Sequence, residues 1–357
     1  MTPNYTNVHR KFKLDGLSYK YNDLMEIAYS YVKEGLPYQQ ELGNFLLDWL
    51  DAKDYVIVKT SGSTGRPKKI KIKKQAMVNS AIATGDFFNL KPGSKILHCL
   101  PSNFIAGKMM IVRAIILGLE LDMVEPAVQP LIDYEKDYEF CAFTPMQLKF
   151  FAKYLKNIKT VIVGGGRVSK SIVDLIKDKK PNVYETYGMT ETVSHIAIKK
   201  LNNFKGQVGE TYFTTLPEII VSKDERGCLV IDAPNLANDK IVTNDIVNII
   251  SDKSFEWLGR FDNVVNSGGI KLFPEQIESK LQDKINGEFF LASRPDDTLG
   301  EKLILVIESK SNHLDESIFD DLDKYEKPKE IHAIPRFKET KSGKIHRKKT
   351  LEALNII

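Results

Sequence analysis

From Tyr55 to Lys180 the chain alternates between two textures, and this alternation restricts its fold more than any other feature. Short β-branched or apolar runs, YVIVKT (55–60), KILHCL (95–100), LDMV (121–124), FCAFT (140–144) and TVIVGG (160–165), are separated by longer runs with apolar residues at helical spacing. Those longer runs are KKQAMVNSAIATGDFFNL (73–90), KMMIVRAIILGLE (108–120), MQLKFFAKYL (146–155) and SKSIVDLIKDKK (169–180). Strand, helix and strand repeated in this way predict a parallel sheet with helices on its faces, an α/β fold. Two helices are predicted ahead of it, in YNDLMEIAYSYVKEG (21–35) and PYQQELGNFLLDWLDA (37–52), broken by Gly35 and Pro37. After Phe204 short strands separated by turn residues predict a small antiparallel region that completes a large N-terminal domain. The stretch beyond Gly259-Arg260 is Lys-rich, with mixed strand and helix signals, and predicts a small α+β C-terminal domain. The expected boundary divides residues 1–261 from 262–357.

The 357 residues exceed what one small core organises. With 42% apolar and 27% charged residues, disorder is excluded as the main state. Lys plus Arg 51 against Asp plus Glu 47 leaves +4. That excess is spread over many patches without interleaved aromatics, so nucleic acid is not an expected partner, whereas an anionic small molecule is compatible. Cys99, Cys141 and Cys228 are too far apart for a CxxC site and odd in number, which fits a reducing compartment. No apolar run approaches the roughly 18 residues of a membrane span. The first sixteen residues carry no signal-like apolar core either, so a cytoplasmic location is expected.

Between two strand-like runs lies TSGSTGRPKK (60–69). Thr60, Ser61, Ser63 and Thr64 supply hydroxyls, Gly62 and Gly65 let backbone N–H groups turn inward, and Lys68 brings a cation. Each suits a polyphosphate. The spacing is not GxxxxGK[ST], because two residues separate the glycines and the lysine follows Pro67. Standing alone, the segment would equally read as a flexible Gly/Ser loop. It does not stand alone. YGMTET follows at 187–192, GRFD at 259–262 runs into NVVNSGGIKLFPEQIE, and SGK stands at 342–344.

This ordered set resembles the acyl-adenylate-forming, AMP-binding superfamily of acyl-CoA synthetases, luciferases and adenylation domains, over roughly Val58 to the C-terminus. Within it, LGRFDNVVNSGGIKLFPEQIE and CLPSNFIAGKMMIVRAIILG look most like the o-succinylbenzoate-CoA ligases of menaquinone biosynthesis. The resemblance implies that ATP and a small carboxylic acid form an acyl-adenylate and pyrophosphate, and that the thiol of CoA then displaces AMP. By the same resemblance, Thr60, Ser61, Gly62, Ser63, Thr64, Gly65 and Lys68 hold the β- and γ-phosphates. Glu191 holds Mg²⁺, Thr190 touches the α-phosphate, and the Gly164-Gly165-Gly166 turn flanks adenine together with Tyr187 and Gly188. Asp245, in Thr243-Asn244-Asp245, takes the ribose hydroxyls; Asn244 stands where the family has Gly, and Asn accepts a left-handed backbone better than most residues. Arg260 meets the ribose or α-phosphate, Asp262 is the hinge of a mobile lid, and Lys344 reaches the reacting carboxylate. Ser267, Gly268, Gly269 and Lys271 face the pantetheine tunnel.

At the acyl pocket the family's Phe-His is absent from Asn103-Phe104-Ile105-Ala106-Gly107. Lys108, Arg113 and His195 are the candidates to meet a second substrate carboxylate. Lys108 and Arg113 are five residues apart and fall on different helix faces, so at most one serves. The competing readings are a ligase for another aromatic or fatty acid or for loading a carrier protein, and a catalytically dead nucleotide-binding regulator. A homodimer is compatible with the sequence. Only 59 residues precede the phosphate loop. The resemblance therefore implies an N-terminal domain trimmed at its start, with two helices in place of a further subdomain.

Overall fold

A computed structural model describes residues 2–59, 69–204, 212–339 and 345–356. Its helices are α1 (Tyr21–Glu34), α2 (Pro37–Leu50), α3 (Lys74–Phe88), α4 (Ile105–Leu117), α5 (Pro145–Phe151), α6 (Lys170–Ile176), α7 (Pro274–Leu281) and α8 (Arg347–Ala353). Local chemistry sets their ends. Thr144 accepts a bond from the Gln147 amide at the start of α5, with Pro145 as its first residue. Asn89 and Gly118 stop α3 and α4 in left-handed conformations.

Among the described residues one mixed sheet runs through the larger part of the chain. Its parallel portion orders Glu120–Met123, Lys95–His98, Tyr138–Phe143, Ile158–Val163 and Asn182–Gly188 side by side. The expected antiparallel region continues this same sheet: His195–Lys200 pairs with Asn182–Gly188, and Phe213–Thr215, Ser254–Arg260, Ile241–Ser251, Cys228–Asp232 and Ile220–Lys223 follow in order. The run at 55–59 does not join it. Tyr55–Lys59 pairs antiparallel with Lys69–Lys73 as a separate two-stranded sheet. A parallel strand needs a crossover of a dozen or more residues, and here the chain returns after only the phosphate-loop segment.

Helix α4 is almost entirely apolar because it is covered on all sides, by the sheet, α3 and α2; Met109 through Ile115 are fully or nearly fully buried. Phe45, Leu46 and Trp49 of α2 join the same core. A second core, with Leu148, Phe151 and Ile176, fills the opposite face of the parallel strands. The C-terminal stretch forms a five-stranded sheet whose long hairpin, Phe289–Asp296 with Gly300–Glu308, is covered on its two faces by separate apolar clusters. Arg167 Nη1 donates to the Glu275 carbonyl (2.7 Å), and Gln276 Nε2 to the Trp257 carbonyl (2.7 Å), joining α7 to the larger sheet.

His98 lies at the end of its strand in a fully buried position, with Nε2 3.0 Å from Ser102 Oγ and Nδ1 unpartnered. Burial lowers its pKa from 6.5 to about 4. Above pH 6.5 both folded and unfolded chains hold it neutral. As pH falls from 6.5 to 4, the unfolded chain takes up a proton that the folded one refuses, so stability is lost, by about 3 kcal/mol in total. The melting temperature is therefore expected to decline over that window. His98→Asn should show a shallower decline, with His195 supplying the remainder, and identical slopes in both proteins would disprove the assignment.

Candidate active site

The strand Asn182–Gly188 delivers YGMTE to the C-terminal end of the parallel strands, the edge where α/β sheets bind ligands. A tight return then leads into His195–Lys200. Thr192 organises this return: its hydroxyl accepts from the Met189 amide (2.9 Å) and lies 2.8 Å from the Ser194 carbonyl. Val193 is forced to φ +67°, a region that costs a β-branched residue about 1–3 kcal/mol, and its side chain is buried to hold it there. Gly188 is required for the return, because a Cβ would come within 2.4 Å of the Ser194 carbonyl oxygen. Thr190 and Glu191 stand at its apex, with the Glu191 carboxylate exposed and in no ion pair among the described residues.

The next cluster is built across strands. Asp245 and Arg260 are register partners, and Arg260 Nη1 meets Asp245 Oδ1 at 3.3 Å. Tyr187 donates its hydroxyl to Asp245 Oδ2 at 2.6 Å, and its ring packs edge-on against Phe255. Burial, with the Asp245 carboxylate beside it, pushes the Tyr187 phenol well up, so it remains a donor. Asp245 is itself nearly buried and accepts at both oxygens, the state in which a carboxylate is held ready for further hydroxyl donors. Asn244 does not use the left-handed backbone anticipated for it. It sits in the strand Ile241–Ser251, where its amide bridges Arg226 (3.1 Å) and Asp262 (3.3 Å). The glycine turn lies beside this cluster: Thr186 Oγ1 bonds the Val163 carbonyl at 3.0 Å, and Gly165 takes φ +82°.

Behind the return lies a buried polar group. Arg113 on α4 is fully buried, with Nη2 donating to Ser194 Oγ at 2.8 Å, Nη1 3.8 Å from Met110 Sδ, and Nε unpartnered. No carboxylate faces it among the described residues. Burial lowers its pKa to about 9, which leaves the guanidinium charged at neutral pH. His195 lies beside it, with Nδ1 3.4 Å from Ser194 Oγ and Nε2 3.5 Å from Thr84 Oγ1; burial and then Arg113 keep it neutral. Lys108 belongs elsewhere, as its spacing anticipates. Its ammonium sits over the Phe45 ring of α2 at 4.5 Å, and burial lowers it to about 8 against the pull of Asp48 and Glu41.

The structure thus brings together Gly164, Gly165, Tyr187, Gly188, Thr190, Glu191, Asp245 and Arg260, with Arg113 and His195 on the far side of the same return. Gly268 and Gly269 form the turn of the hairpin Val265–Ser267 with Ile270–Leu272, both at positive φ, and Lys271 is exposed; no recorded bond links them to the Asp245 cluster. Thr60, Ser61, Gly62, Ser63, Thr64, Gly65, Lys68 and Lys344 lie outside the described residues. Thr84, Ser194 and the strained Val193 were not expected. Neither Thr84 nor Ser194 carries a motif, and only the spacing of Ser194 from YGMTET could have pointed to it.

A glycine turn, a carboxylate and an arginine at the ligand-binding end of a mixed sheet with a parallel core are the parts of an α/β nucleotide-binding protein. The family model described as AMP-binding enzyme matches residues 22–237, and the chain belongs to that family. It is an enzyme of the AMP-forming acyl-CoA synthetase class. A solved structure from Dyadobacter fermentans DSM 18053, an acyl-CoA synthetase (AMP-forming)/AMP-acid ligase II-like protein, is 35% identical. It aligns over 92% of this chain and 98% of its own, with a TM-score of 0.61. The 2-succinylbenzoate–CoA ligase of Listeria monocytogenes EGD-e is 24% identical over 91% of this chain and 75% of its own length. The fold of o-succinylbenzoate coenzyme A synthetase from Bacillus subtilis, solved with ATP and magnesium, superposes with a TM-score of 0.71 at 18% identity, over 82% of this chain and 69% of that one. Among the described residues no helix is long and apolar enough to cross a membrane.

Proposed function

We propose that the protein is an ATP- and Mg²⁺-dependent acid–CoA ligase that activates o-succinylbenzoate as its acyl-adenylate and passes it to CoA, a step of menaquinone biosynthesis. A substrate carboxylate oxygen attacks the α-phosphorus of ATP, the bond from that phosphorus to the bridging oxygen breaks, and pyrophosphate departs with the electron pair. The CoA thiol then attacks the acyl carbon and AMP leaves. Asp245, oriented by Tyr187, binds the ribose hydroxyls; Thr190 and Arg260 stabilise charge at the α-phosphate; Lys68 and the loop around it hold the outer phosphates. Glu191, an exposed carboxylate beside the Thr190 hydroxyl, would hold Mg²⁺, a hard cation suited to oxygen donors that would offset phosphate charge. Residues 262–357 act as the lid, turning about Asp262 so that Lys344 and then Gly268, Gly269 and Lys271 serve the two half-reactions.

The observation that carries the choice of acid is Arg113. A fully buried guanidinium without a carboxylate partner is costly unless an anion completes it, and a monocarboxylate, consumed at the α-phosphorus, has none left to offer. A dicarboxylate has one, and Ser194, His195 and Thr84 supply polar neighbours for it. Fatty acids are disfavoured by the same buried charge. Purified protein given ATP, Mg²⁺, CoA and o-succinylbenzoate is expected to release pyrophosphate and form a thioester of the corresponding mass. Release of neither product would overturn the proposal and favour a nucleotide-binding regulator.

A further inference from the structure

Behind the return that follows Glu191, four side chains form a hydrogen-bond chain whose direction is fixed by the chemistry of its two ends. At one end stands Arg113. A guanidinium has donors and no acceptor, so the Ser194 oxygen, 2.8 Å from Nη2, accepts. At the other end Thr84 Oγ1 lies 2.9 Å from the Ser80 carbonyl, which can only accept, so the one hydroxyl proton of Thr84 is spent there. His195 sits between them, with Nε2 3.5 Å from Thr84 Oγ1 and Nδ1 3.4 Å from Ser194 Oγ. It shares its buried place with an arginine that no carboxylate faces among the described residues, and both conditions keep the ring neutral, with a single N–H.

Because Thr84 has no proton left to give, Nε2 carries the ring proton and donates to it. Nδ1 is then the acceptor, and the Ser194 hydroxyl donates to it. Every bond runs one way, from Arg113 through Ser194, His195 and Thr84 to the Ser80 carbonyl. The opposite tautomer would set the bare Nε2 lone pair against the Thr84 oxygen and deprive the Ser194 proton of its acceptor. The backbone under this chain is also held: Ser194 follows Val193 at φ +67°, and its carbonyl lies 2.8 Å from the Thr192 hydroxyl.

We propose that His195 is a positioning residue, fixed as its Nε2–H tautomer, that takes the Ser194 proton and so keeps the Ser194 oxygen turned to Arg113 as an acceptor. The guanidinium is thereby aimed with Nε left over for the substrate's second carboxylate. The proposal rests on the dicarboxylate reading above. It removes His195 from direct recognition, since a neutral ring has no charge to offer a carboxylate, and gives it an effect on the substrate only through Ser194 and Arg113.

Two measurements test this. Long-range ¹H–¹⁵N correlation spectra of the full chain labelled at its histidines, with the His195 signals assigned by their loss in His195→Asn, are expected to show the Nε2–H tautomer at neutral pH. An Nδ1–H ring or an imidazolium would overturn the proposal. In steady-state kinetics His195→Phe, which keeps a ring and removes the acceptor, is expected to raise KM for o-succinylbenzoate about five- to tenfold with little change in kcat, the loss of one hydrogen bond from ground and transition state alike. His195→Asn, whose Oδ1 falls near the position of Nδ1, should restore most of the loss, and an analogue lacking the second carboxylate should be indifferent to both changes. Equal KM increases for the two acids, or no rescue by Asn, would reduce His195 to a packing role. Failure of the ligase reading is separable: wild type would then form no thioester, while the tautomer, read on the free protein, would stand.

Discussion

Replacing Arg113 by Met is expected to lower kcat/KM for o-succinylbenzoate by about 100- to 1000-fold, the consequence of removing one partner from a buried charged contact. The same change should leave the melting temperature unchanged or raised. In the free protein the guanidinium is desolvated and bonded to Ser194 with Nε unsatisfied, and replacing buried charge by a packed apolar chain is often neutral or stabilising by about 1–4 kcal/mol. Opposite signs for substrate and stability separate a recognition role from a structural one. Steady-state rates with an analogue lacking the second carboxylate complete the experiment, since that analogue should lose little. An equal fall for both acids, or a clear drop in melting temperature, would show that Arg113 supports the fold and does not read the substrate.

Lys344→Ala is expected to slow adenylation by about 100- to 1000-fold, the usual effect of removing one group that stabilises transition-state charge. Thioester formation from supplied acyl-adenylate should persist, because that half-reaction breaks the acyl carbon–oxygen bond and has no attack at the α-phosphorus for Lys344 to assist. Glu339 and Ile345 pair, and the His346 amide bonds the Lys338 carbonyl at 2.7 Å, so both flanks of the segment are fixed to each other independently of the substituted side chain. Rapid-quench measurement of the two half-reactions decides the matter. Equal loss in both would remove Lys344 from the role proposed for it.

Much of this architecture was legible in local pattern. The alternation of β-branched and amphipathic runs predicts the parallel sheet because period and length distinguish its strands from its helices. The 55–59 run misled for a definite reason. Its composition suits a parallel strand as well as a hairpin, and only the short return to Lys69 selects the hairpin. Asn244 likewise suggested a left-handed turn from residue type alone, whereas cross-strand pairing of Asp245 with Arg260 holds it extended.

By itself the sequence determined the fold class and the order of the family's motifs, because each motif is a short segment whose chemistry is local. It also separated Lys108 from Arg113, since helical geometry follows from spacing. Tertiary structure alone decided which of those two lies against the return that follows Glu191. It turned Lys108 onto Phe45 and buried Arg113 against Ser194 and His195, residues 81 and more positions away along the chain. Desolvation of a charge depends on everything packed around it, and no window of sequence contains that environment.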